Sequence, residues 1–311
     1  MILVTGCAGY IGSQLCYKLK KEKINFIGID NLQYSSKRNI IKNYFYKIDI
    51  SNSKVENLIK KKKIISVIHC AAFSYVNDGE ENKKKYFNNN VLKTKKFINI
   101  CKKHSIKNFI FLSSSNVYKD GKSIFNEKDF KNPKNLYGKN KLEIEKYLKK
   151  TRFDNLIILR LFNIVGLIKK FYVFKFKKIN YQRLFFRILD NSNFPQLRYY
   201  KKKGKIFFPK RDFVDINDLT DLVLLILNKL KTRKINKTFN VGSGKAISIY
   251  SISKLFKKNN KKIIFSKPSL ITKKELMITR ANIKNAKKYF KWLPKKKIEY
   301  SILTTLKYGR I

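Results

Sequence analysis

A tyrosine and a lysine four positions apart are the residues of this chain whose types and spacing best suit chemistry. Tyr137 and Lys141 lie in the segment 136–150, which has apolar residues at helical spacing and no proline, so both would share one face of a helix. A free tyrosine has a pKa of about 10 and is a poor base near pH 7. A lysine ammonium roughly 6 Å away would stabilise the phenolate by about 3 kcal/mol and lower that pKa by about 2 units. The pair could serve as a general acid and base, although the same spacing also arises by chance in a lysine-rich chain.

A strand, a glycine-rich loop and a helix at the N-terminus are the first elements that would position such chemistry. The apolar strand 2–4 leads into glycines at positions 6, 9 and 12, and helical spacing follows. Gly6 permits a tight turn, Gly9 lets the backbone approach a pyrophosphate, and Gly12 permits close packing of helix on strand. The helix N-terminus presents free N–H groups and partial positive charge to the phosphates. This order of elements predicts a dinucleotide site.

The second apolar strand, 26–29, ends in an acid. Asp30 lies about 20 residues beyond the glycines, where a carboxylate accepts hydrogen bonds from the hydroxyls of the adenosine ribose. A 2′-phosphate would meet the negative charge of Asp30. The sequence therefore predicts NAD, rather than NADP, as the cofactor.

Apolar strands and helical segments alternate along the first half of the chain. We expect strands near 2–5, 26–29, 44–48, 64–69, 108–113 and 155–160. This alternation is typical of an α/β fold with a doubly wound (Rossmann) parallel sheet. The length of 311 residues allows one such domain and a smaller lobe. We place the NAD-binding domain at 1–165, with strand and helix returns near 211–228 and 238–243, and a smaller C-terminal α/β substrate lobe at 166–311.

Composition narrows the class of protein. No run of 18 apolar residues occurs and the first strand begins at once, so we expect neither a membrane span nor a signal peptide, and a cytoplasmic location. The cysteines lack metal-ligand spacing, which indicates buried, reduced thiols and no metal. Two histidines are too few and too scattered for a metal site. The cysteines are Cys7, Cys16, Cys70 and Cys101, and the histidines are His69 and His104.

The net charge of +52 would usually indicate a nucleic acid or an anionic surface as partner. Only 10 of the 72 basic residues are arginine, however, and arginine is the residue that specific phosphate and base recognition favours. The lysines are spread along the whole chain. Because Lys, Asn, Ile, Phe and Tyr are abundant together and share A/T-rich codons, we attribute the charge to compositional bias and do not expect a nucleic-acid partner. Polyanion binding is the alternative, and added salt would weaken it steeply.

Taken together, the motifs resemble the extended short-chain dehydrogenases/reductases, and among them the UDP-glucose 4-epimerases and related nucleotide-sugar epimerases. The resemblance covers essentially the whole chain. Its first half rests on superfamily motifs, which are the glycine loop, Asp30-Asn31-Leu32, Asp49-Ile50, Ser113–Tyr118 and the Tyr137/Lys141 pair. Its second half rests on 159–166, 211–219, 239–244 and 292–294. The resemblance implies tightly bound NAD, a UDP-sugar substrate and 4-epimerisation through a transient 4-keto sugar.

Roles carry over from that family to matching positions. The resemblance implies that Tyr137 removes the proton of the sugar 4-hydroxyl, that Ser114 hydrogen-bonds the same oxygen, and that Lys141 holds the nicotinamide ribose. The implied cofactor contacts are Gly6, Gly9, Tyr10, Ile11, Gly12, Asp30, Asn31, Ser35, Asp49, Ile50, Ala71, Ala72, Asn90, Tyr137 and Lys141. The implied substrate contacts are Ser114, Asn163, Asn180, Tyr200, Arg211, Lys274, Glu275 and Thr279.

Some positions depart from the family pattern. Ser74 stands where many epimerases have lysine or glutamine beside the cofactor, and 272–275 lacks a second diphosphate arginine. Thr279 aligns loosely with a bulky tyrosine beside the sugar 2-substituent, which suggests a pocket that also admits N-acetylhexosamines. A uronate substrate is a further possibility.

Competing interpretations come from the same superfamily and from outside it. A 4,6-dehydratase usually has Asp-Glu after its catalytic Ser/Thr, whereas this chain has Ser115 and Asn116. A keto-sugar reductase usually takes NADPH, which Asp30 disfavours. A non-catalytic, polyanion-binding relative would not need Ser114, Tyr137 and Lys141 together. Relatives commonly form homodimers through two helices, which would lie here at 84–103 and 136–150.

Overall fold

A computed structural model describes most of the chain. The described residues are 1–173, 184–187, 189, 196–197, 199–202, 205–261, 264–265, 269–270 and 278–310. Three of the predicted substrate contacts, Asn180, Lys274 and Glu275, lie outside these ranges.

The strands of the described residues are numbered in chain order. They are β1 (Ile2–Thr5), β2 (Phe26–Asp30), β3 (Phe45–Lys47), β4 (Ser66–His69), β5 (Asn108–Ser114), β6 (Ile124–Phe125), β7 (Asn155–Leu161), β8 (Asn163–Val165), β9 (Phe171–Tyr172), β10 (Gln196–Leu197), β11 (Tyr200–Lys202), β12 (Lys205–Phe207), β13 (Lys210–Asp215), β14 (Asn236–Val241), β15 (Ala246–Ser248), β16 (Ile264–Phe265), β17 (Ser269–Leu270), β18 (Ile278–Ala281) and β19 (Gly309–Arg310). The six strands predicted for the first half all form, with ends that shift by at most two residues.

The α-helices are numbered in the same way. They are α1 (Tyr10–Lys21), α2 (Lys54–Lys61), α3 (Val76–Glu81), α4 (Lys83–Phe87), α5 (Lys93–Lys103), α6 (Leu136–Thr151), α7 (Leu184–Arg187), α8 (Ile216–Lys229), α9 (Ile249–Lys258), α10 (Lys284–Phe290) and α11 (Ile298–Tyr308). A π-helical turn, Asn88–Leu92, joins α4 to α5, so the segment 84–103 is not one regular helix. None of these helices combines the length and the apolar character needed to cross a membrane.

The central sheet has the strand order β14-β7-β5-β4-β1-β2-β3, and every neighbouring pair is parallel. The order reverses between β1 and β4, which is the arrangement of a doubly wound fold. Loops that follow neighbouring parallel strands meet at one edge of the sheet. The loops after β1, β2, β4 and β5 therefore lie side by side, and they carry the predicted cofactor contacts Gly6, Gly9, Asn31, Ser35, Ala71 and Ala72.

Both faces of the central sheet are buried under helices. Because side chains alternate along each strand, neighbouring residues belong to the apolar clusters on opposite faces. Leu3 belongs to the apolar cluster on one face and Val4 to the cluster on the other, as do Phe109 and Ile110 on β5. The first cluster includes residues of α2, α5 and α6, and the second includes residues of α1, α8 and α10. The predicted fold class, a doubly wound parallel sheet covered by helices, is confirmed.

The strands of a second sheet are interleaved along the chain with those of the central sheet. Its order is β15-β13-β18-β6, and β8 also pairs with β13. The strand predicted to return near residue 211 is β13, and it pairs within this second sheet rather than with the central one. The helix that follows it, α8, lies against α1 beside the central sheet. Lys18 on α1 forms an ion pair of 3.1 Å with Asp221 on α8. The strand predicted near 238–243 is β14, which pairs with β7 at the edge of the central sheet.

Candidate active site

The glycine loop after β1 has no room for side chains at two of its three glycines. Gly6 has a φ of +67°, and a Cβ there would lie 2.7 Å from the backbone nitrogen of Ala71. A Cβ on Gly12 would lie 2.1 Å from the carbonyl oxygen of Gly6. The loop is also tied to β2 by a hydrogen bond from the Gly6 N–H to the Ile29 carbonyl, at 2.9 Å. The cradle therefore owes its shape to glycine at positions 6 and 12.

Helix α1 begins immediately after this loop. Gly9 is its N-cap and offers no side chain to satisfy the N–H groups of the first turn. These groups, which belong to Tyr10, Ile11 and Gly12, suit an anion such as a pyrophosphate. The Tyr10 side chain points away from this role, since its hydroxyl donates a 2.7 Å hydrogen bond to the Gly166 carbonyl.

Asp30 ends β2 beside the glycine loop. Its carboxylate accepts hydrogen bonds from the Ala8 N–H at 3.1 Å, the Leu32 N–H at 2.8 Å and the Ser35 hydroxyl at 2.9 Å. Burial raises the pKa of this carboxyl, and the three donors act in the opposite direction. Asp30 is thus held in place by both neighbouring loops, with its charge at the edge of the groove where a ribose would lie.

Asp49 and Asn31 form a second polar cluster at the same end of the groove. The Asn31 amide and the Lys93 ammonium donate to Asp49 Oδ2 at 2.8 and 2.7 Å. Burial alone would raise the pKa of Asp49, but Lys93 and the hydrogen bonds from Ser51 and Asn31 lower it to about 2. Asp49 is therefore ionised and fixed next to Ile50, at the end of the groove that the resemblance assigns to adenine.

The loop after β4 forms the opposite wall of the groove. The side chain of Asn90, in the π-helical turn, fixes the backbone of Phe73 in this loop. It accepts a hydrogen bond from the Phe73 N–H at 2.8 Å and donates one to the Phe73 carbonyl at 2.9 Å. The Ala71 N–H donates to Thr5 Oγ1 at 3.2 Å. Ala71 and Ala72 line the groove directly, whereas Asn90 acts on it through Phe73.

Tyr137 and Lys141 both lie on α6 and line the end of the groove away from Asp30. Asn135 caps this helix by accepting from the Gly138 N–H at 2.7 Å. The Lys141 ammonium lies 5.8 Å from the centre of the Tyr137 ring and donates to the Leu112 carbonyl at 2.7 Å. Tyr137 is half-buried, and Lys141 is only 5% exposed. Helical spacing alone brings these two side chains together, as predicted.

Burial has a marked effect on Lys141. It lowers the pKa of the ammonium to about 8, although the charges of Cys70 and Glu145 oppose this change. The lysine therefore stays mostly charged near pH 7, where it can stabilise an anion beside it. A buried cation of this kind is suited to favour the phenolate form of a neighbouring tyrosine.

Ser114 ends β5, and its neighbour Ser113 faces the groove. Ser114 is buried, and its side chain accepts from the Asn116 N–H at 3.2 Å, which fixes the turn Ser115–Val117. Ser113 lines the groove and donates to Glu145 Oε1 at 2.6 Å. Ser113 thus lines the groove, but its hydroxyl is turned to the buried Glu145, and the Ser114 hydroxyl lies at the start of the turn that follows.

An ion pair is buried behind α6. Arg160 on β7 donates to both oxygens of Glu145 on α6, at 2.9 and 2.6 Å, and both side chains are 1% exposed. The pair raises the pKa of Arg160 despite its burial. Arg160 also donates to the Tyr118 hydroxyl at 3.1 Å. This network joins α6, β5 and β7 directly beneath Lys141, so it fixes the helix that carries the Tyr137/Lys141 pair.

The groove runs from the Asp49 cluster to Tyr137 as two adjoining hollows. The first contains Asp30, Asn31, Ser35, Asp49, Ile50, Ala71 and Ala72, and the second contains Tyr10, Ile11, Gly12, Tyr137 and Lys141. Gly6 and Gly9 line both. An elongated dinucleotide fits this layout, because acceptors for a ribose lie at one end, an anion cradle in the middle and a buried cation at the other end.

Three of the predicted substrate residues lie on neighbouring strands of the second sheet. Arg211 on β13 pairs with Thr279 on β18, and Asn163 on β8 donates to the Asp212 carbonyl at 2.8 Å. Burial lowers the pKa of the Arg211 guanidinium, and the Asp120 carboxylate opposes this. Tyr200, on β11, is 1% exposed and belongs to a separate small sheet. None of these four residues lines the two hollows described above.

Several residues that shape the site were not predicted from the sequence. Asn39 donates to the Tyr172 carbonyl at 2.9 Å and accepts from the Tyr172 N–H at 2.8 Å, which pins β9 against the groove. Glu145 and Arg160 form the buried pair described above. The sequence did contain a signal for this pair, because a buried charge needs a partner. Arg160 lies inside the apolar strand 155–161, and Glu145 lies one turn after Lys141. No local pattern pointed to Asn39.

The fold and the groove define a nucleotide-binding enzyme of the Rossmann class. Comparison with known proteins identifies the family: residues 2–242 match the NAD dependent epimerase/dehydratase family, and the chain belongs to it. The predictions of an enzyme of this family and of NAD as cofactor are confirmed. The groove from Asp49 to Tyr137 is the candidate NAD site.

Individual relatives share the same fold. A dTDP-D-glucose 4,6-dehydratase from Dictyostelium discoideum is 30% identical over 279 residues, which are 81% of this chain but only 60% of that protein. A UDP-glucose 4-epimerase from Pisum sativum is 29% identical over 290 residues, 85% of this chain and 82% of that protein. The crystal structure of UDP-glucose 4-epimerase from Brucella ovis in complex with NAD has a TM-score of 0.89 at 23% identity, covering 98% of this chain and 97% of that chain.

Proposed function

We propose that this chain is an isomerase that inverts C4 of a UDP-hexose and so interconverts UDP-glucose and UDP-galactose. The observation that carries the proposal is the placement of Lys141 beneath Tyr137, at the end of the NAD groove away from Asp30. The similarity to a UDP-glucose 4-epimerase over 85% of this chain supports the choice of reaction and substrate.

Each residue of the site has a defined part in this reaction. NAD would accept a hydride from the sugar C4 carbon and return it to the opposite face of a transient 4-keto sugar. Tyr137 takes the proton of the 4-hydroxyl and gives it back. Ser114 hydrogen-bonds the same oxygen, and Lys141 holds the nicotinamide ribose while its charge favours the Tyr137 phenolate. The cycle consumes no external oxidant or reductant.

The UDP group would bind against the second sheet. The guanidinium of Arg211 suits a diphosphate, because it can donate two parallel hydrogen bonds. Asn163 lies two strands from Thr279 in the same sheet and would contact the diphosphate side of the substrate. Thr279 is small, and we propose that the pocket beside it also admits a 2-acetamido group. If UDP-N-acetylglucosamine shows no turnover where UDP-glucose is converted, that part of the proposal fails.

A 4,6-dehydratase is the main alternative, since one relative with 30% identity carries that name. Elimination of water from C5 and C6 needs an acid and a base near those carbons. The two positions that usually supply them hold Ser115 and Asn116 in the turn after β5. Neither side chain titrates near pH 7, so the site favours epimerisation.

The direct test uses purified protein, UDP-galactose and no added cofactor, with the sugars separated by chromatography. We expect conversion to UDP-glucose, with Tyr137→Phe inactive although it retains NAD. The matched control is Tyr147→Phe, on the same helix, whose hydroxyl donates to Asn99 away from the groove. No conversion by the wild type, even with NAD and with the N-acetyl and uronate analogues, would refute the proposal.

We also propose that the protein is a homodimer. Exposed apolar side chains lie just before α5, with Phe87 at the end of α4 at 44% exposure and Leu92 at the end of the π-helical turn at 51%. Helices α5 and α6 are joined to each other by an ion pair of 2.6 Å between Lys95 and Glu143. Light scattering coupled to gel filtration tests the proposal, and the mass of a single chain at all concentrations would refute it.

A further inference from the structure

Two aromatic rings meet across the NAD groove. Tyr34 and Phe73 have ring centres 4.3 Å apart at an interplanar angle of 76°, which is a favourable edge contact. Tyr34 follows β2, and Phe73 follows β4. Because β1 lies between these two strands in the sheet, the loops that carry the rings flank the glycine loop on opposite sides. A contact between the two rings therefore passes over the glycine loop.

The same two residues mark the middle of the groove. Both line the hollow with Asp30 and Asp49, and both also line the hollow with Tyr137 and Lys141. Gly6 and Gly9 are shared in the same way. The glycine loop and the N-terminus of α1 receive the pyrophosphate of a dinucleotide. The ring contact thus lies where the pyrophosphate of NAD would pass beneath it.

A cation lies on top of this contact. The ammonium of Lys85, on α4, is 4.8 Å from the centre of the Tyr34 ring and 6.0 Å from that of Phe73. Ser74, the next residue along the wall, carries no charge. Lys85 is exposed, and its flexible side chain can move from the ring face toward a phosphate below.

We propose that Tyr34 and Phe73 form an aromatic strap over the pyrophosphate of NAD, and that Lys85 supplies the positive charge that holds the strap against it. The strap adds two walls and a cation to a cradle otherwise built from backbone N–H groups. It closes the one side of the pyrophosphate that the glycine loop leaves open. Its effect is to slow the release of NAD between turnovers.

The two halves of the strap differ in how firmly they are held. Phe73 is buried, its backbone is fixed by Asn90, and its ring packs against Tyr86 at 5.3 Å. Tyr34 is half-buried and lies in an irregular segment after Leu32, which has a φ of +60°. Tyr34 is therefore the half that moves when NAD enters or leaves, and Phe73 is the fixed stop.

The test measures release of NAD and needs no sugar substrate. Purified holoenzyme is diluted into an enzymatic trap for free NAD, and the appearance of trapped nucleotide gives the release rate. Loss of an aromatic pair worth about 1 kcal/mol predicts release about fivefold faster in Tyr34→Ala. Tyr34→Phe keeps the ring contact, so we expect its release rate to stay within about twofold of the wild type.

A second pair of variants tests the cation. Lys85→Gln should speed release about threefold, since an exposed cation–π contact is worth about 0.5–1 kcal/mol. It should also flatten the dependence of the release rate on salt. Lys296→Gln is the control, because Lys296 lies 4.6 Å over the Tyr300 ring in the same geometry but away from the groove.

The strap is refuted if Tyr34→Ala releases NAD at the wild-type rate, whether or not the enzyme epimerises any sugar. It is also refuted if Tyr34→Phe and Tyr34→Ala speed release equally, since the ring would then not matter. Should Tyr34→Ala not fold, Tyr34→Leu takes its place, and the prediction of faster release is the same. Equal effects of Lys85→Gln and Lys296→Gln would remove Lys85 from the strap.

Discussion

The Lys141 ammonium lies 5.8 Å from the centre of the Tyr137 ring, and it is fixed there by a 2.7 Å hydrogen bond to the Leu112 carbonyl. That carbonyl belongs to β5, whereas both side chains belong to α6. The lysine therefore fastens α6 to the end of the central sheet, next to the groove. The buried Lys141 side chain therefore both fixes the position of α6 and supplies the positive charge beside Tyr137.

Burial of Lys141 predicts a stability that depends on pH. The pKa falls from 10.5 to about 8 in the folded protein, so between these values the unfolded chain keeps a proton that the folded chain has lost. The folded state then gains stability as pH rises through this window, and the cost of burying the charge is fully present below it. We expect NAD-free Lys141→Met to be more stable than the wild type near pH 7, by up to about 3 kcal/mol, and this advantage to shrink toward pH 10.

Urea unfolding of the two proteins across this pH range gives the difference directly. Lys146→Met, on the exposed side of the same helix, controls for the loss of one charge. An advantage of Lys141→Met that does not change with pH would contradict the depressed pKa.

Substitution by alanine should have different effects at Gly12 and at Gly9 of the glycine loop. In Gly12→Ala the new Cβ would lie 2.1 Å from a carbonyl oxygen, so we expect a loss of about 3 kcal/mol or more in the free energy of unfolding. In Gly9→Ala the nearest atom is 3.2 Å away and φ is −74°, so the fold should be nearly as stable. Gly9→Ala should nevertheless retain less NAD, because its Cβ stands where the backbone approaches the pyrophosphate. Thermal unfolding and nucleotide content after gel filtration, measured on both variants, separate the two effects, and equal destabilisation would contradict this geometry.

For the buried pair of Glu145 and Arg160, we expect removal of one partner to lower the free energy of unfolding strongly and removal of the second to restore most of it. Glu145→Leu leaves an arginine that is 1% exposed without its carboxylate, which should cost about 3–5 kcal/mol. Adding Arg160→Met removes the unpaired charge and should restore most of that loss. Lys122→Ala, which breaks a solvent-exposed pair with Asp129, should cost less than about 1 kcal/mol. Urea unfolding of the three variants checks the order, and a double variant no more stable than Glu145→Leu would contradict it.

Asp30 predicts the choice between the two nicotinamide cofactors. Asp30→Asn keeps the shape of the side chain but removes the charge that opposes a 2′-phosphate. We expect NAD binding to weaken about tenfold and the preference over NADP to fall by more than that. Titration calorimetry on NAD-free protein measures both affinities, with the exposed Asp154→Asn as control. An unchanged ratio of the two affinities would show that Asp30 does not select the cofactor.

Local patterns in the sequence were enough for the elements that position the site. Periodicity located β1, β5 and α6, and spacing along one helix put Tyr137 next to Lys141. The glycines at 6 and 12 were predictable because a tight turn and a close helix–strand contact leave no alternative residue. Each of these inferences uses residues that are close together in the chain.

Contacts between distant segments could not be predicted in the same way. Asn90 holds Phe73 from 17 positions away, and Tyr34 meets Phe73 only because β1 separates β2 from β4 in the sheet. Strand order decides such contacts, and no periodicity encodes it directly. The strand at 211–215 shows the same limit: the family resemblance located it, but its place in the second sheet depends on pairing with β8, β15 and β18.

In the proposed reaction, Tyr137 and Lys141 act with bound NAD to move one hydrogen off the sugar C4 carbon and back to it. The most direct test supplies UDP-galactose with deuterium at C4, adds no cofactor, and locates the deuterium in the product by NMR. We expect UDP-glucose with the deuterium still at C4, and no product from Tyr137→Phe. Deuterium at C6 would indicate a dehydratase, and deuterium lost to solvent would contradict the proposed reaction.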